Sequence, residues 1–179
     1  MGPFGPFSLG FNLISLIYAT SLSAVIGNNG DLPWPHMAAD MKWFIQHTKN
    51  KIVVMGRTTW DSLPKKLPQR INVVITNKEE LDGPDMLVKG DPADVLAAIQ
   101  NAYPGQDIVI IGGAKVYLDF WELAEQIHVT LFQEYYQGDT YFDCRAMMQR
   151  AYKLEYEVKV PGGDSQPDIL FETYSRPVN

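Results

Sequence analysis

The sequence predicts an α/β protein built on a central, mostly parallel sheet with flanking helices and an antiparallel C-terminal edge. Three observations carry that expectation. Short apolar runs recur through the first two thirds of the chain, several too apolar to leave one face in water. Segments of helical period lie between them, and strands alternating with helices imply parallel pairing with both faces covered. The last third changes character and reads as consecutive strands.

Taken in order, "LISLIYAT" (13–20) is the first buried strand. "KIVVMG" (51–56), "INVVIT" (71–76), "DMLVKG" (85–90) and "DIVIIGG" (107–113) follow as strands. Helices are predicted over 37–48, 58–63, 92–101 and 115–121. Asp91 followed by Pro92 supplies an N-cap and a first helical residue for the third of these. "QIHVTLFQEYY" (126–136), "YKLEYEVKV" (152–160) and "DILFETYS" (168–175) read as strands, and "PGGDSQP" joins the last two as a hairpin-like connection. No repeat or linker divides the chain, so residues 13–179 are expected to form a single domain. "MGPFGPFSLGFN" (1–12) reads as a loose N-terminal extension of unassigned role, a remnant or a natural leader.

Bulk properties narrow the function. The 179 residues are enough for a sizeable core, and 46% hydrophobic with 20% charged residues is an ordinary globular balance. A net charge of −6 argues against a nucleic-acid surface, which needs a basic patch. The single cysteine, Cys144, rules out an intrachain disulfide and a cysteine-based metal site. His36, His47 and His128 show no metal-type spacing, so no metal is expected. The apolar N-terminal stretch has no Lys or Arg before Lys42, unlike a secretory signal, and no later span is long enough for a membrane helix. The chain is therefore expected in the cytoplasm, away from membranes.

Two strand-to-helix turns contain glycine, "VVMGRTTW" (53–60) and "VIIGGAKVY" (109–117). Glycine lets a ligand approach the backbone, and the following helix start presents free N–H groups and a positive dipole end. Arg57 stands beside the first turn and Lys115 beside the second, while "TNK" (76–78) closes a third strand. On a parallel sheet all three lie at the carboxyl edge, where ligands bind in open α/β folds. A pyrophosphate and an extra phosphate fit there; a tight turn with a solvated cation fits either glycine turn alone. Neither turn matches G-x-G-x-x-G or the phosphate loop ending in Gly-Lys-Ser/Thr, which argues against a standard Rossmann domain and an NTPase.

Met37, Asp40, Met41, Phe44 and Thr48 follow one helical stripe, so Asp40 is expected to face inward beside Phe44. An inward carboxylate is costly unless it is paired. Its partner is either a hydroxyl or N–H of the protein, or the cationic or amidine-like edge of a ligand. Trp34 sits in "NNGDLPWP", a turn-rich stretch that reads as a long loop of the kind that forms lids; the residue itself fits a core position or a lid position. Arg70 precedes a buried strand and is either a solvated flank or a planar fork for a ligand carboxylate.

"LISLIYATSLSAVIGNNGDLPW", "DMKWF", "VVMGRTTWDSL", "LPQR", "VVIT", "VIIGGAKVY" and "GDTYF" occur in the order and spacing of dihydrofolate reductase, and the chain resembles that family from Leu13 to Ser175. The resemblance implies a dihydrofolate-reductase-like eight-stranded mixed sheet. It also implies reduction of 7,8-dihydrofolate to tetrahydrofolate by NADPH, for one-carbon metabolism and thymidylate synthesis. By matched position it assigns Asp40 to the pterin N3 and 2-amino group, with Thr130 supporting the carboxylate. Ile17, Tyr18, Ala19 and the Ile111 carbonyl line the pterin site, Phe44 and Leu63 wall the pterin and benzoyl groups, and Arg70 grips the substrate's α-carboxylate. Ala19, Ile26, Gly27 and Tyr117 match positions around the nicotinamide. Arg57, Thr58 and Thr59 match the first phosphate turn, and Gly112, Gly113, Ala114, Lys115 and Val116 the second. Thr76, Asn77 and Lys78, with Arg57, match the 2′-phosphate pocket. Asp40, Trp34, Thr130 and Tyr117 form the implied reacting centre, and the glycine pair implies a cis peptide.

The stretch from Trp34 to Asp40 is one residue longer than in many bacterial members, and Gln69 stands where glycine is common. The implied ligands are dihydrofolate and antifolate-type small molecules, bound by a monomer. Two readings compete: the related pyrimidine reductase of riboflavin synthesis, and a catalytically silent folate- or nucleotide-binding structural protein. The Trp34–Asp40–Phe44 set and Arg70 favour the folate reading over the first.

Overall fold

The computed structural model describes residues 12–178. The extension read over 1–12 lies outside the described residues apart from Asn12. The elements run β1 (Ile14–Ser21), β2 (Val25–Gly27), α1 (Ala38–Thr48), β3 (Ile52–Gly56), α2 (Arg57–Ser62), β4 (Ile71–Ile75), β5 (Met86–Val88) and α3 (Pro92–Ala102). They continue with β6 (Ile108–Gly112), α4 (Ala114–Phe120), β7 (Gln126–Phe132), β8 (Thr140–Tyr141), α5 (Arg145–Ala151), β9 (Lys153–Val160) and β10 (Ile169–Ser175). Eight strands form one sheet in the order β5-β4-β3-β6-β1-β7-β10-β9, and β2 pairs with β8 in a separate ribbon. Pairing is parallel from β5 to β7 and antiparallel for β10 with both β7 and β9. The expected mixed, mostly parallel eight-stranded sheet with an antiparallel C-terminal edge is what the chain forms.

The apolar runs explain the middle of the sheet. Val53, Val54, Val73, Val74, Val109 and Ile110 are wholly buried, because helices or long connections cover both faces. At the carboxyl edge, β3, β4 and β6 end at Gly56, Ile75 and Gly112, which brings the two glycine turns and Thr76 to one side. α3 opens as expected, with the Asp91 carboxylate accepting from the Asp94 N–H at 3.0 Å.

α1 lies on the other face of β1, β7 and β10. Its contact stripe is Ala39, Trp43 and His47, spaced four apart. Trp43 stacks on Phe171 at 4.8 Å and on Tyr156 at 5.8 Å, and His47 meets His128 at 4.0 Å between ring centres. The expected inward stripe needs correcting here. Phe44 and Asp40 are half-buried, and Met41 is 45% exposed, because that row borders a cleft rather than the core. Trp34 is buried in the core, stacked on Phe132 at 4.3 Å with Tyr136 edge-on.

Candidate active site

One cleft of about 1000 Å³ runs along the carboxyl edge of the sheet, at the upper end of the range for small-molecule sites. Its two halves differ in chemistry. One half is built from the glycine turns. The Gly112–Gly113 peptide is cis, as the resemblance implied. A Cβ added to Gly113 would meet the Thr59 hydroxyl at 3.3 Å, and one on Gly56 would meet Val116 at 3.1 Å. The two turns therefore pack directly against each other, with little room for side chains at Gly56 and Gly113. Arg57, Thr58, Thr59, Thr76, Asn77, Gly112, Gly113, Ala114, Lys115 and Val116 all line this half. Lys78 does not line it; it is exposed, and its N–H donates to the Thr76 hydroxyl at 3.2 Å.

The other half is apolar with one acid. Ile17, Ala19, Phe44, Leu63 and Ile111 line it, with Met41 from the Asp40 stripe and Leu32, which spacing did not single out. Asp40 enters it from the first turn of α1. The register explains where. α1 runs against β7, so His47 at its end meets His128, and Asp40 at its start meets Thr130 two residues further along the strand. Burial raises the Asp40 carboxyl above the usual carboxylate range, while the Thr130 hydroxyl and the charge of His36 pull the other way. Asp40 is thus an acid short of solvent beside an open cavity, a frequent mark of a functional site.

Between the halves stands Tyr117. Its hydroxyl lies 2.8 Å from the Ile17 carbonyl and 2.7 Å from the Ile111 carbonyl, and its single proton serves one of them at a time. Burial holds the phenol fully protonated, its pKa far above 10. Tyr18, expected beside Ile17 and Ala19, has its ring on the opposite face of β1, against Tyr117 and Phe142. It reaches the cleft wall from behind, as strand alternation requires.

The mouth is framed by a loop. Ile26, Gly27, Gly30, Asp31 and Leu32 line the cleft. The loop is tied to the strand opposite: Asn29 N–H donates to Asp139 Oδ2 at 2.9 Å, and Asp139 N–H donates to the Gly27 carbonyl at 3.1 Å. Two further expected site residues, besides Lys78, stand off the cleft wall. Trp34 packs beneath it, its indole N–H without a partner among the described residues. Arg70 lies beside it, with its guanidinium 5.7 Å from the Phe44 ring. Gln69, in the position where glycine is common, adopts φ of 57°, the left-handed region that glycine enters without steric cost. Among the described residues, no group of three or more His, Cys, Asp or Glu could hold a metal ion. No helix among them is long and apolar enough to cross a membrane.

Fold and cleft together define an α/β protein with a half of glycine turns and cations and an acid-bearing apolar half in one site. A family model described as dihydrofolate reductase matches residues 13–176, and the chain belongs to that family. The dihydrofolate reductase of Buchnera aphidicola subsp. Acyrthosiphon pisum (strain APS) is 41% identical over 131 residues, covering 72% of this chain and 78% of that protein. That of Buchnera aphidicola subsp. Baizongia pistaciae (strain Bp) is 36% identical over 129 residues, covering 72% and 76%. A solved structure described as dihydrofolate reductase from Enterococcus faecalis complexed with NADP(H) and RAB-propyl shares the fold, with a TM-score of 0.80 at 24% identity, over 95% of this chain and 100% of that one.

Proposed function

We propose that the chain reduces 7,8-dihydrofolate to 5,6,7,8-tetrahydrofolate with NADPH, through the residues of this cleft. The observation that carries the reading is Asp40: a desolvated carboxylate beside Thr130 in an apolar pocket, facing the half built from two interlocked glycine turns. That turn half fits a dinucleotide phosphate backbone. Its backbone is open to close approach, and its donors are Arg57, Thr58, Thr59, Thr76, Asn77 and Lys115.

NADPH, when bound, supplies the hydride. The protein's part is binding, orientation and exclusion of water. Asp40 accepts two parallel hydrogen bonds from the N3–H and 2-amino edge of the pterin, which fixes the ring's position and polarises it toward gaining a proton at N5. Thr130 holds the carboxylate's orientation. Trp34 is a positioning residue: its stack on Phe132 fixes where the loop enters α1. Tyr117 donates to the Ile17 or the Ile111 carbonyl at the centre of the cleft. Phe44, Leu63 and Ile111 supply apolar walls for the ring and the benzoyl group, and Arg70 beside Phe44 meets the terminal carboxylate. Lys78, exposed at the end of "TNK", joins Arg57, Thr76 and Asn77 around the 2′-phosphate. The Gly27–Leu32 loop keeps water out during reaction, apart from the molecule that delivers the N5 proton.

The reading takes residues 13–179 as one catalytic domain, acting as a cytoplasmic monomer on dihydrofolate and open to antifolate-type inhibitors, with no nucleic-acid or membrane partner. Cys144, the only cysteine of the chain, is buried and suits a reducing compartment. The test is the fall in NADPH absorbance with dihydrofolate, with the ribosylaminopyrimidine of riboflavin synthesis, and with no second substrate. Oxidation with dihydrofolate alone supports the reading. Oxidation with the pyrimidine alone, or with neither, overturns it.

A further inference from the structure

Two cations of the cofactor half, Arg57 and Lys115, already have an acid; Lys89, which also lines the cleft, has no ion pair among the described residues. Arg57 donates from Nε to both carboxylate oxygens of Asp61 at 2.8 Å, and Lys115 donates from Nζ to Asp119 at 2.6 Å. The two pairs share a design. Each cation stands in the first turn of a short helix that opens at a glycine turn of the cleft, and each acid lies one helical turn further on the same helix.

Fold stability does not account for them. The side chains are 31% and 51% exposed in the first pair and 86% and 39% exposed in the second, and exposed pairs at this spacing add little to stability. Their effect falls on the site. A carboxylate in contact with a cation cancels most of its field a few ångströms away, so Arg57 and Lys115 present two ion pairs rather than two free charges. In a chain of net charge −6, an incoming phosphate meets these two ion pairs together with the unpaired Lys89.

We propose that Asp61 and Asp119 are counter-charges that limit cofactor affinity: each competes with a cofactor phosphate for its cation and must be displaced for tight binding. This rests on the proposed cofactor reading, in which Arg57 meets the 2′-phosphate and Lys115 the second phosphate turn. Asp61 then acts on the feature that separates NADPH from NADH, and Asp119 on features the two share. The device keeps the oxidised cofactor from being held too tightly after turnover.

The test is equilibrium titration of the full chain with NADPH and with NADH, followed by the quenching of tryptophan fluorescence, at low and high salt. Asp61→Asn keeps the side chain's shape and removes its charge. It should tighten NADPH binding roughly three- to tenfold, the scale of one unit charge near contact in solvent, and leave NADH within about twofold. Asp119→Asn should tighten both cofactors alike. Both gains should shrink at high salt, where exposed charges are screened. Asp61→Glu, which keeps the charge, should stay near the parent, and thermal unfolding of each variant identifies any that fails to fold. Unchanged or weaker NADPH binding by Asp61→Asn overturns the proposal; weakening would mean that Asp61 positions Arg57. Arg57→Ala separates the two levels. If it weakens NADPH selectively while Asp61→Asn does nothing, the counter-charge role fails alone. If it leaves NADPH unaffected, the cofactor assignment falls and the counter-charge role with it.

Discussion

Arg70 donates from Nε to the Thr48 hydroxyl at 2.8 Å. The bond joins the residue before β4 to the last turn of α1, the helix that carries Asp40. Arg70 Nη1 also donates to the Pro68 carbonyl at 2.8 Å, and Thr48 donates to the Phe44 carbonyl at 2.7 Å. The guanidinium is thus held over the Phe44 ring with one terminal amino group still unpaired among the described residues. Replacing Arg70 by Leu should weaken dihydrofolate binding by roughly 1.5–3 kcal/mol, the range for a hydrogen bond to a charged group. A pterin without the glutamyl tail should bind as before. Equal weakening of both ligands, in paired titrations, would make Arg70 a brace for α1 only.

The Asp139–Asn29 bond makes a second expectation specific. The carboxyl of Asp139 is lowered below the usual range, first by the Asn29 N–H and then by the Thr140 hydroxyl. Hydrogen exchange over residues 21–36 should slow when both ligands bind, since the loop then closes on them. Asp139→Ala removes the tie and should speed exchange in the free protein, with a smaller slowing on ligand binding. Identical exchange in parent and variant would show that the ribbon of β2 and β8 holds the loop without Asp139.

His128 sets an acid limit on stability. Burial, then the neighbouring charges of His47 and Lys51, hold its imidazole down to about 3 from an ordinary 6.5. The folded state keeps it neutral while the unfolded chain takes a proton below 6.5, so the unfolded state binds more protons between those values. Stability is complete above 6.5 and falls as pH drops toward 3. From pH 7 to pH 5 this one group should remove about 2 kcal/mol. His128→Gln keeps a polar partner for Thr173, which His128 meets at 2.9 Å. Its urea midpoint should be lower at pH 7 but change less between pH 7 and pH 5. A parallel fall in both proteins would place the acid sensitivity elsewhere.

The strands of the sheet's middle were legible because they are buried on both faces, and an unbroken apolar run has few alternatives. β2 and β8 were not: three and two residues carry no period, and they pair only because the chain brings them together. α5 was missed for a related reason. It has seven residues and no side-chain cap at Cys144. In α1 the helix was plain but its rotation was not. The stripe through Asp40 and Phe44 competes with the one through Ala39, Trp43 and His47, and only the sheet beneath decides which faces the core. The second stripe, two aromatic rings spaced four apart, was the available signal. The half built from the glycine turns was readable because glycine and cations cluster at strand ends. The apolar half was only partly readable: Met41 fell on the Asp40 stripe, but Leu32 looks like any loop residue until a cleft exists. Trp34 and Arg70 show the limit from the other side: matched position named them, but packing places them next to the cleft and not in its wall.

The central claim is that Asp40 orients and polarises a pterin for reduction, and Asp40→Asn tests it with the shape kept and the charge removed. Because burial raises the folded-state pKa of this carboxyl, its ionised form opposes folding at neutral pH. The amide should therefore leave the thermal midpoint at pH 7 unchanged or higher, so lost activity would not mean a lost fold. The measurement is the single-turnover rate of NADPH oxidation with dihydrofolate, in parent and variant, across pH. The account predicts a rate lower by at least about a hundredfold at neutral pH, the scale of a lost group in proton transfer, and a variant rate that climbs as pH falls and solvent protonates the substrate. Near-normal turnover by the variant at neutral pH would contradict it and leave Asp40 as a carboxylate that the fold merely tolerates.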